Sequence, residues 1–501
     1  MRYRLARRAN RIGRNTIPNR PDLWRRHDYD PTRMNKSERQ IVVFTTLAMN
    51  QTLFFEALGR ALEAMGCQVA YICYHERSHE YLLGRGVRSF NAFALAEEAG
   101  ADVDWDALGI ANPAYLLATE KAAFELANTS HLLTKLGRYA NAVGRALDAL
   151  AADGCGLTVV QELGGLTSLL AAYFVARSRG IDNWFIEPSF FRGRVLLVRN
   201  SLEALPIAGP TGKSVTPAVA AYLEDTIRQQ SAIIPRKDAH HYRAPLRKIL
   251  DARHIRRLAE KSADKYLLGK REEYTHVGGH VRRHVKMLMR GGLLARHYSS
   301  LEGVEPYIYY PLHVPADVAI TLRSSQYIDQ LALIDHLCRI TPHPCKVAIK
   351  EHPALVGAID YGRTRGLLRA HDNLVLLDAR INNYAVLNRA RVVITVNSKA
   401  GAEALALGRP VLVLGDAFYR PCSLVCRIDR LQDLEPVLRS VLTAPSSISK
   451  DEVLGYFQDV WEQTYPGELY VTEEKNIAAF AHSLASALKV HGVANVQCVA
   501  R

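Results

Sequence analysis

Three short polar stretches each follow a run of strand-like residues: Pro311-Leu-His-Val-Pro315, Lys350-Glu-His-Pro353 and Asn397-Ser-Lys-Ala-Gly401. They offer His313, Lys350, Glu351, His352, Pro353, Asn397, Ser398 and Lys399, a set rich in hydrogen-bond donors and cations. Such groups, next to a helix start, suit a phosphate, because free N–H groups and the helix dipole both favour negative charge. Glu403 lies inside the helix that follows the third stretch, within reach of a hydroxyl on whatever carries the phosphate. Two carboxylates earlier in the chain, Glu162 and Glu187, also end strand-like runs and could act as a general base or a nucleophile. Arg192, five residues past Glu187, adds a cation for an acceptor or a phosphate. Taken singly, each fits an ordinary polar surface group; three loops on one sheet edge are harder to set aside.

The elements that must position these groups alternate strand and helix. Gln40–Thr45 and Cys67–Cys73 read as strands around an amphipathic helix, Leu53–Met65, and open a doubly wound unit. Residues 90–150 read as mainly helical. Leu157–Gln161 and Asn183–Glu187 are further strands, with a helix over Leu166–Arg179 between them. Residues 215–300 read as helical and basic. Alternation restarts with strands Tyr307–Tyr310, Cys345–Lys350, Leu374–Leu377, Arg391–Thr395 and Val411–Leu414. Between them fall helices over Tyr327–Ile340 and Asn383–Arg389, and one capped by Asn397 or Ser398 and stopped at Gly408. Glu473–Leu488 closes the chain as an amphipathic helix that packs back across the hinge. The expected organisation is a basic flexible arm (1–39), a first Rossmann-like domain for an acceptor (40–214), and a basic helical connection lining the cleft (215–300). A second Rossmann-like domain for a nucleotide (301–450) and a C-terminal helical segment (451–501) complete it. In an open parallel sheet the ligand sits beyond the carboxyl ends of the strands, so two such domains face a cleft.

Bulk properties narrow the functional classes. At 501 residues the chain is long enough for two cores. No apolar run approaches the roughly 18 residues that span a bilayer, and the Arg-rich start lacks an apolar core of the kind a secretory signal carries. The net charge of +14 is concentrated. Residues 1–40 hold 12 Lys/Arg against 4 Asp/Glu, and residues 235–300 hold 17 against 6. Neither region interleaves aromatics with its charges, which argues against nucleic acid; an anionic inner-membrane face suits the arm as well as a solvated tail does. Eight scattered cysteines complete no zinc set, and His280 with His284 lacks the Glu of a zinc-protease pattern, so no metal and no cofactor are expected. Free thiols fit a cytoplasmic location. Without a P-loop or a G-x-G-x-x-G, ATPase and dinucleotide readings are weak.

The motifs in order are Tyr309-Tyr-Pro-Leu-His-Val-Pro315, Tyr327-Ile-Asp-Gln330, Lys350-Glu-His-Pro353, Thr395-Val-Asn-Ser-Lys-Ala-Gly-Ala-Glu-Ala-Leu405, Gly408-Arg-Pro-Val411 and Ala417-Phe-Tyr419. Together they resemble the bacterial capsule polysaccharide biosynthesis family, which includes the retaining β-Kdo transferases of capsule synthesis. The resemblance covers about residues 150–420. It implies a GT-B-like fold and a glycosyltransferase acting between a nucleotide-sugar donor, CMP-Kdo in characterised members, and a glycan or glycolipid acceptor. It places His352 and Pro353 on the donor phosphate, Ser398 at the phosphate-facing helix start, and Glu403 on the ribose. The family's acid-acid-Gly-aromatic-x-Arg motif appears here as Glu187-Pro-Ser-Phe-Phe-Arg192. The second acid, where the Kdo enzymes are expected to carry their nucleophile, is Pro188, and the glycine is Ser189. Either Glu187 takes over the reaction, or this branch uses another sugar, or the chain is a non-catalytic capsule assembly or export factor. A polyol-phosphate transferase of teichoic-acid type would share the His-Pro element, but its Asp-Tyr-Ser-Ser loop is here Val396-Asn-Ser-Lys399.

Overall fold

The structure is a computed structural model that describes residues 40–126, 128–230, 252–274, 277–444 and 448–489. The basic arm lies outside these residues, as do part of the basic connection and the side chain of His280. The chain builds two sheets. The first contains β1 (Gln40–Thr46), β2 (Gln68–Cys73), β3 (Ser89–Asn91), β4 (Gly156–Glu162), β5 (Asp182–Pro188) and β6 (Arg194–Arg199). The second contains β7 (Tyr307–Pro311), β8 (Lys346–Lys350), β9 (Leu374–Leu377), β10 (Val392–Thr395), β11 (Val411–Val413) and β12 (Cys426–Arg427). A last strand, β13 (Tyr465–Pro466), returns to the first sheet.

The first sheet has the order β13-β6-β5-β4-β1-β2-β3 and is parallel except at β6, which is antiparallel to both its neighbours. The second has the order β12-β11-β10-β7-β8-β9 and is parallel throughout. Its central strands are buried along almost all their length and mainly apolar, as strands covered on both faces are. The outcome is the expected GT-B-like α/β arrangement: two halves with the carboxyl ends of β5 and β10 turned toward each other.

The seam between the halves is a real interface. Phe190 and Phe191, just past β5, are buried in one core with residues of the second half and with Phe457 of the helix Lys450–Glu462. The Thr119 and Thr321 hydroxyls meet at 2.6 Å in a buried site, and the Ala204 amide donates to Asp416 at 2.8 Å. The helix Glu474–Ala487 packs on the helix Met49–Glu63, with Phe480 edge-on to Phe54 at 5.5 Å. The C-terminal segment therefore crosses the seam and closes against the first half.

The basic connection is also committed. Arg77 pairs with Asp264, Lys261 with Glu272, Lys270 with Glu80, and Arg271 with both Glu76 and Glu97. Lys135 bridges the fully buried Glu120 and Glu273 at 2.5 and 3.0 Å, and Tyr139 donates to Glu273 at 3.0 Å. Much of the charge expected to line an open cleft instead fastens the connection to the first half. Beta-strands β3, β6, β12 and β13 were not read from the sequence. Three of them have only two or three residues, too short to show a period. The fourth, β6, is reached through a hairpin at Gly193, whose φ of 71° lies in the left-handed region.

Candidate active site

The sheet order explains why the three polar loops converge. β10, β7 and β8 are consecutive neighbours, and Pro311 is in register with Lys350. Their carboxyl ends therefore deliver His313, Lys350 and the Asn397–Lys399 loop side by side.

His313 is buried, and its backbone is clamped by Gln330, which accepts from the His313 amide at 2.7 Å and donates to its carbonyl at 3.1 Å. Its Nε2 is buried with no hydrogen-bond partner. Burial pushes the His313 pKa down to about 4, with Asp317 opposing and His352 adding to the shift. His352, whose Nδ1 accepts from the Ala354 amide at 3.3 Å, is likewise pushed down to about 4 by burial and then by Lys350. Lys350 is buried at the end of β8; burial lowers its pKa to about 8 against the pull of Glu403 and Asp378. Lowered values of this kind mark basic groups removed from water without a full counter-charge. Three of them on one edge make a site that an anion would complete.

Glu403 is buried on the helix Lys399–Ala406 and accepts from Asn383 Nδ2 at 2.7 Å; Asn383 Oδ1 in turn accepts from the Tyr309 hydroxyl at 2.9 Å. Ser398 is the N-cap of that helix, its hydroxyl accepting from the Ala400 amide at 3.2 Å. Of the two cap residues open in the sequence, Ser398 takes the role, since Asn397 points its amide to Ala319 O and Ser324 Oγ. Gly401 lies against Tyr419, so a Cβ there would collide with the hydroxyl that donates to Ser398 O at 2.5 Å. Glu351 is placed differently from its neighbours. Its oxygens accept from Tyr298 Oη at 2.7 Å and from the Gly357 amide at 2.8 Å, which makes it the tie of the 351–357 loop. Pro353 follows in the same loop.

On the opposite half Glu187 ends β5 and both its oxygens accept from Arg323, at 2.9 and 2.5 Å. Arg323 is itself fixed by Leu202 O at 2.8 Å and Glu203 O at 3.1 Å. Lys399 donates to Ser189 O at 3.3 Å, so the third polar loop and the Glu187 segment touch directly. Arg192 is exposed at the tip of the β5–β6 hairpin, its amide donating to the Tyr222 hydroxyl oxygen at 2.9 Å. Glu162 is held in a separate network with Tyr470 and Gln51, formed by the C-terminal return.

Sequence reasoning missed Arg323, Ser324 and the clamp by Gln330. Ser324 Oγ accepts from Asn397 and from the Asp416 amide, and so joins Arg323 to the third loop. Arg323 and Glu187 are 136 residues apart, and no local pattern announces such a pair. Among the described residues no cluster of His, Cys, Asp and Glu could hold a metal ion.

Comparison with known proteins fixes the family. Residues 165–424, more than half of the chain, match the family described as capsule polysaccharide biosynthesis protein. This chain belongs to that family. Protein FixF of Sinorhizobium fredii is 28% identical over 164 residues, covering 32% of this chain and 39% of that protein; the chain thus spans about two fifths of that curated relative. Among solved structures, KpsC of Thermosulfurimonas dismutans, β-Kdo 2,7 transferase, is similar over 69% of this chain and 89% of its own, with 16% identity and a TM-score of 0.34. The UDP-GlcNAc 2-epimerase of Neisseria meningitidis is similar over 90% and 99%, with 13% identity and a TM-score of 0.24.

Proposed function

We propose that this protein is a glycosyltransferase of capsular or surface polysaccharide synthesis. A nucleotide-sugar donor binds at the carboxyl edge of the second sheet, and a glycan or glycolipid acceptor binds in the first half. The observation that carries this reading is the buried His313 and Lys350 with the half-buried His352 under the Ser398-capped helix, three bases whose lowered pKa values call for an anion. When the bond between the sugar and the donor phosphate breaks, the electron pair leaves with the phosphate oxygen. Cations and donors already fixed at that oxygen stabilise the developing charge without reorganising. Glu403, buried beside Asn383, is the acceptor for the ribose hydroxyls. Family membership supports a CMP-activated donor, with Kdo as the sugar, and a cytoplasmic site of action against the anionic inner face of the membrane.

Glu187 is the carboxylate that meets the donor edge, and Arg323 holds it bidentately across the seam. We assign it the reacting role and Arg192 the acceptor side; Glu162, tied to Tyr470, supports the first half's loops. The test is transfer from CMP-, UDP- and GDP-sugars by the wild type and by Glu187→Gln. No transfer by the variant, with nucleotide binding intact, is expected; full transfer would remove Glu187 from the reaction. One observation favours a second reading, a non-catalytic assembly factor. Pro188 stands where the family motif carries its second acid, and Glu187 is already bound as a strut. That reading predicts nucleotide binding with no transfer by the wild type.

A further inference from the structure

The helix Val277–Leu294 turns four of its apolar side chains outward. Val281, Val285, Leu288 and Met289 share one face at helical spacing and are each between 37% and 65% exposed. The opposite face, with Arg283, Met287, Arg290, Gly291 and Leu294, is the packed one. Arg283 donates to Ala123 O at 2.7 Å and Arg290 to Asp360 at 3.2 Å. A helix packed on a globular protein normally shows the reverse, with the apolar stripe inward. A second apolar group, Tyr266, Leu267 and Leu268, ends the preceding helix and is more exposed still, Leu267 by 81%. Exposed apolar residues grouped in this way mark an interaction site.

The charge around them says what kind. Residues 252–294 carry 11 Lys/Arg against 4 Asp/Glu; Lys261, Lys270, Arg271 and Arg290 are already paired with carboxylates, which leaves the cations that share the outward face to decide it. Arg282 and Lys286 interleave with the outward apolar positions and share a single carboxylate, Glu125, at 3.5 and 2.7 Å. Two copies of the chain meeting on this face would bring like charges together. An anionic lipid surface supplies both the apolar boundary and the opposite charge. No helix among the described residues is long and apolar enough to cross a membrane, so the helix would lie along the surface rather than span it.

We infer that the outward face of Val277–Leu294, with the Tyr266–Leu268 tip, docks this protein on an anionic bilayer. The inner face of the same helix packs through Gly291 on Val356 and Gly357, in the loop that Glu351 ties down. Docking would therefore set the phosphate-binding edge one packing layer from the lipid headgroups. The inference deepens the membrane placement in the proposed function and rests on it for its meaning, but the docking itself does not depend on the nucleotide or on catalysis.

The test is co-sedimentation of the full chain with vesicles of phosphatidylcholine alone and with added phosphatidylglycerol. A variant carrying Val281→Ser, Val285→Ser, Leu288→Ser and Met289→Ser is run beside the wild type, and a second carries Arg282→Gln and Lys286→Gln. Wild type should bind the anionic vesicles selectively. Each variant should lose at least about ten-fold in partition, while melting temperature and nucleotide binding stay unchanged. Equal binding to neutral vesicles, no binding, or full binding by the four-serine variant (which would assign the membrane to the arm) overturns the inference. So does a dimer of the wild type, seen by sizing, that the four-serine variant abolishes.

Discussion

At the scale of single residues the unusual feature is basic groups whose burial outweighs the acids near them. His313 and His352 hold their protons only below about pH 4 when folded, against an ordinary value of 6.5. Between those limits the unfolded chain binds more protons than the folded one, so stability must fall as pH falls from 6.5 toward 4. The slope is at most roughly 1.4 kcal/mol per pH unit for each histidine, reached where the unfolded chain is fully protonated and the folded one is not. Urea unfolding between about pH 7 and pH 5 should show this slope in the wild type and a clearly shallower one in His313→Asn with His352→Asn. An unchanged slope would mean that the loss of stability comes from other groups. The two histidines were legible in the sequence because each closes a strand beside a proline. The degree of their burial was not, because it depends on what the fold places around them.

At the scale of elements the proposed donor edge depends on one strand–loop–helix unit, β10 to Lys399–Ala406, and on the glycine that lets Tyr419 approach it. Gly401 is in an ordinary helical position, so its requirement is steric. A Cβ would meet the Tyr419 hydroxyl and ring and the Thr395 methyl. Gly401→Ala should cost about 1–3 kcal/mol through overpacking and weaken nucleotide binding by displacing the Ser398 carbonyl from its Tyr419 donor. Adding Tyr419→Phe should recover part of the stability, since it removes the clashing oxygen. A double-mutant cycle in chemical denaturation checks this, and strict additivity of the two changes would contradict the packing account. This unit could be read from sequence because every local signal agreed: a β-branched strand, a Ser cap, Ala-rich turns and a glycine stop at Gly408, whose φ is 67°. The helix expected over Tyr327–Ile340 begins instead at Gln330, after a short 3-10 turn, because Asp329 caps it. That shift frees Gln330 to reach back and clamp His313.

At the scale of the whole molecule the halves are joined by side chains that no local pattern pairs: Glu187 with Arg323, Lys399 with Ser189, Thr119 with Thr321. The two-sheet architecture was legible from alternating strands and helices. The seam was not, because its partners lie more than a hundred residues apart. The basic stretch after residue 215 likewise read as an open charged face, and the structure divides it. One part is spent on Glu76, Glu80 and Glu97, and another, Arg282 and Lys286, stands on the outward side of Val277–Leu294 beside Glu125. The C-terminal return, with Tyr470 on Glu162 and Phe480 on Phe54, ties the first half's loops to a segment that has already crossed the second half. A donor bound at the seam would touch both halves at once, so its binding reports on the assembled site.

Calorimetric titration of the full chain with CMP, CDP, UDP and GDP near pH 6.5, in two buffers of different ionisation heat, is the direct measurement. An anion placed against His313, His352 and Lys350 must raise their pKa values. One nucleotide should therefore bind with net proton uptake, and both the binding and the uptake should disappear in His352→Ala. Binding that survives His352→Ala with the same proton count, or no binding by any of the four, would contradict a nucleotide site at this edge.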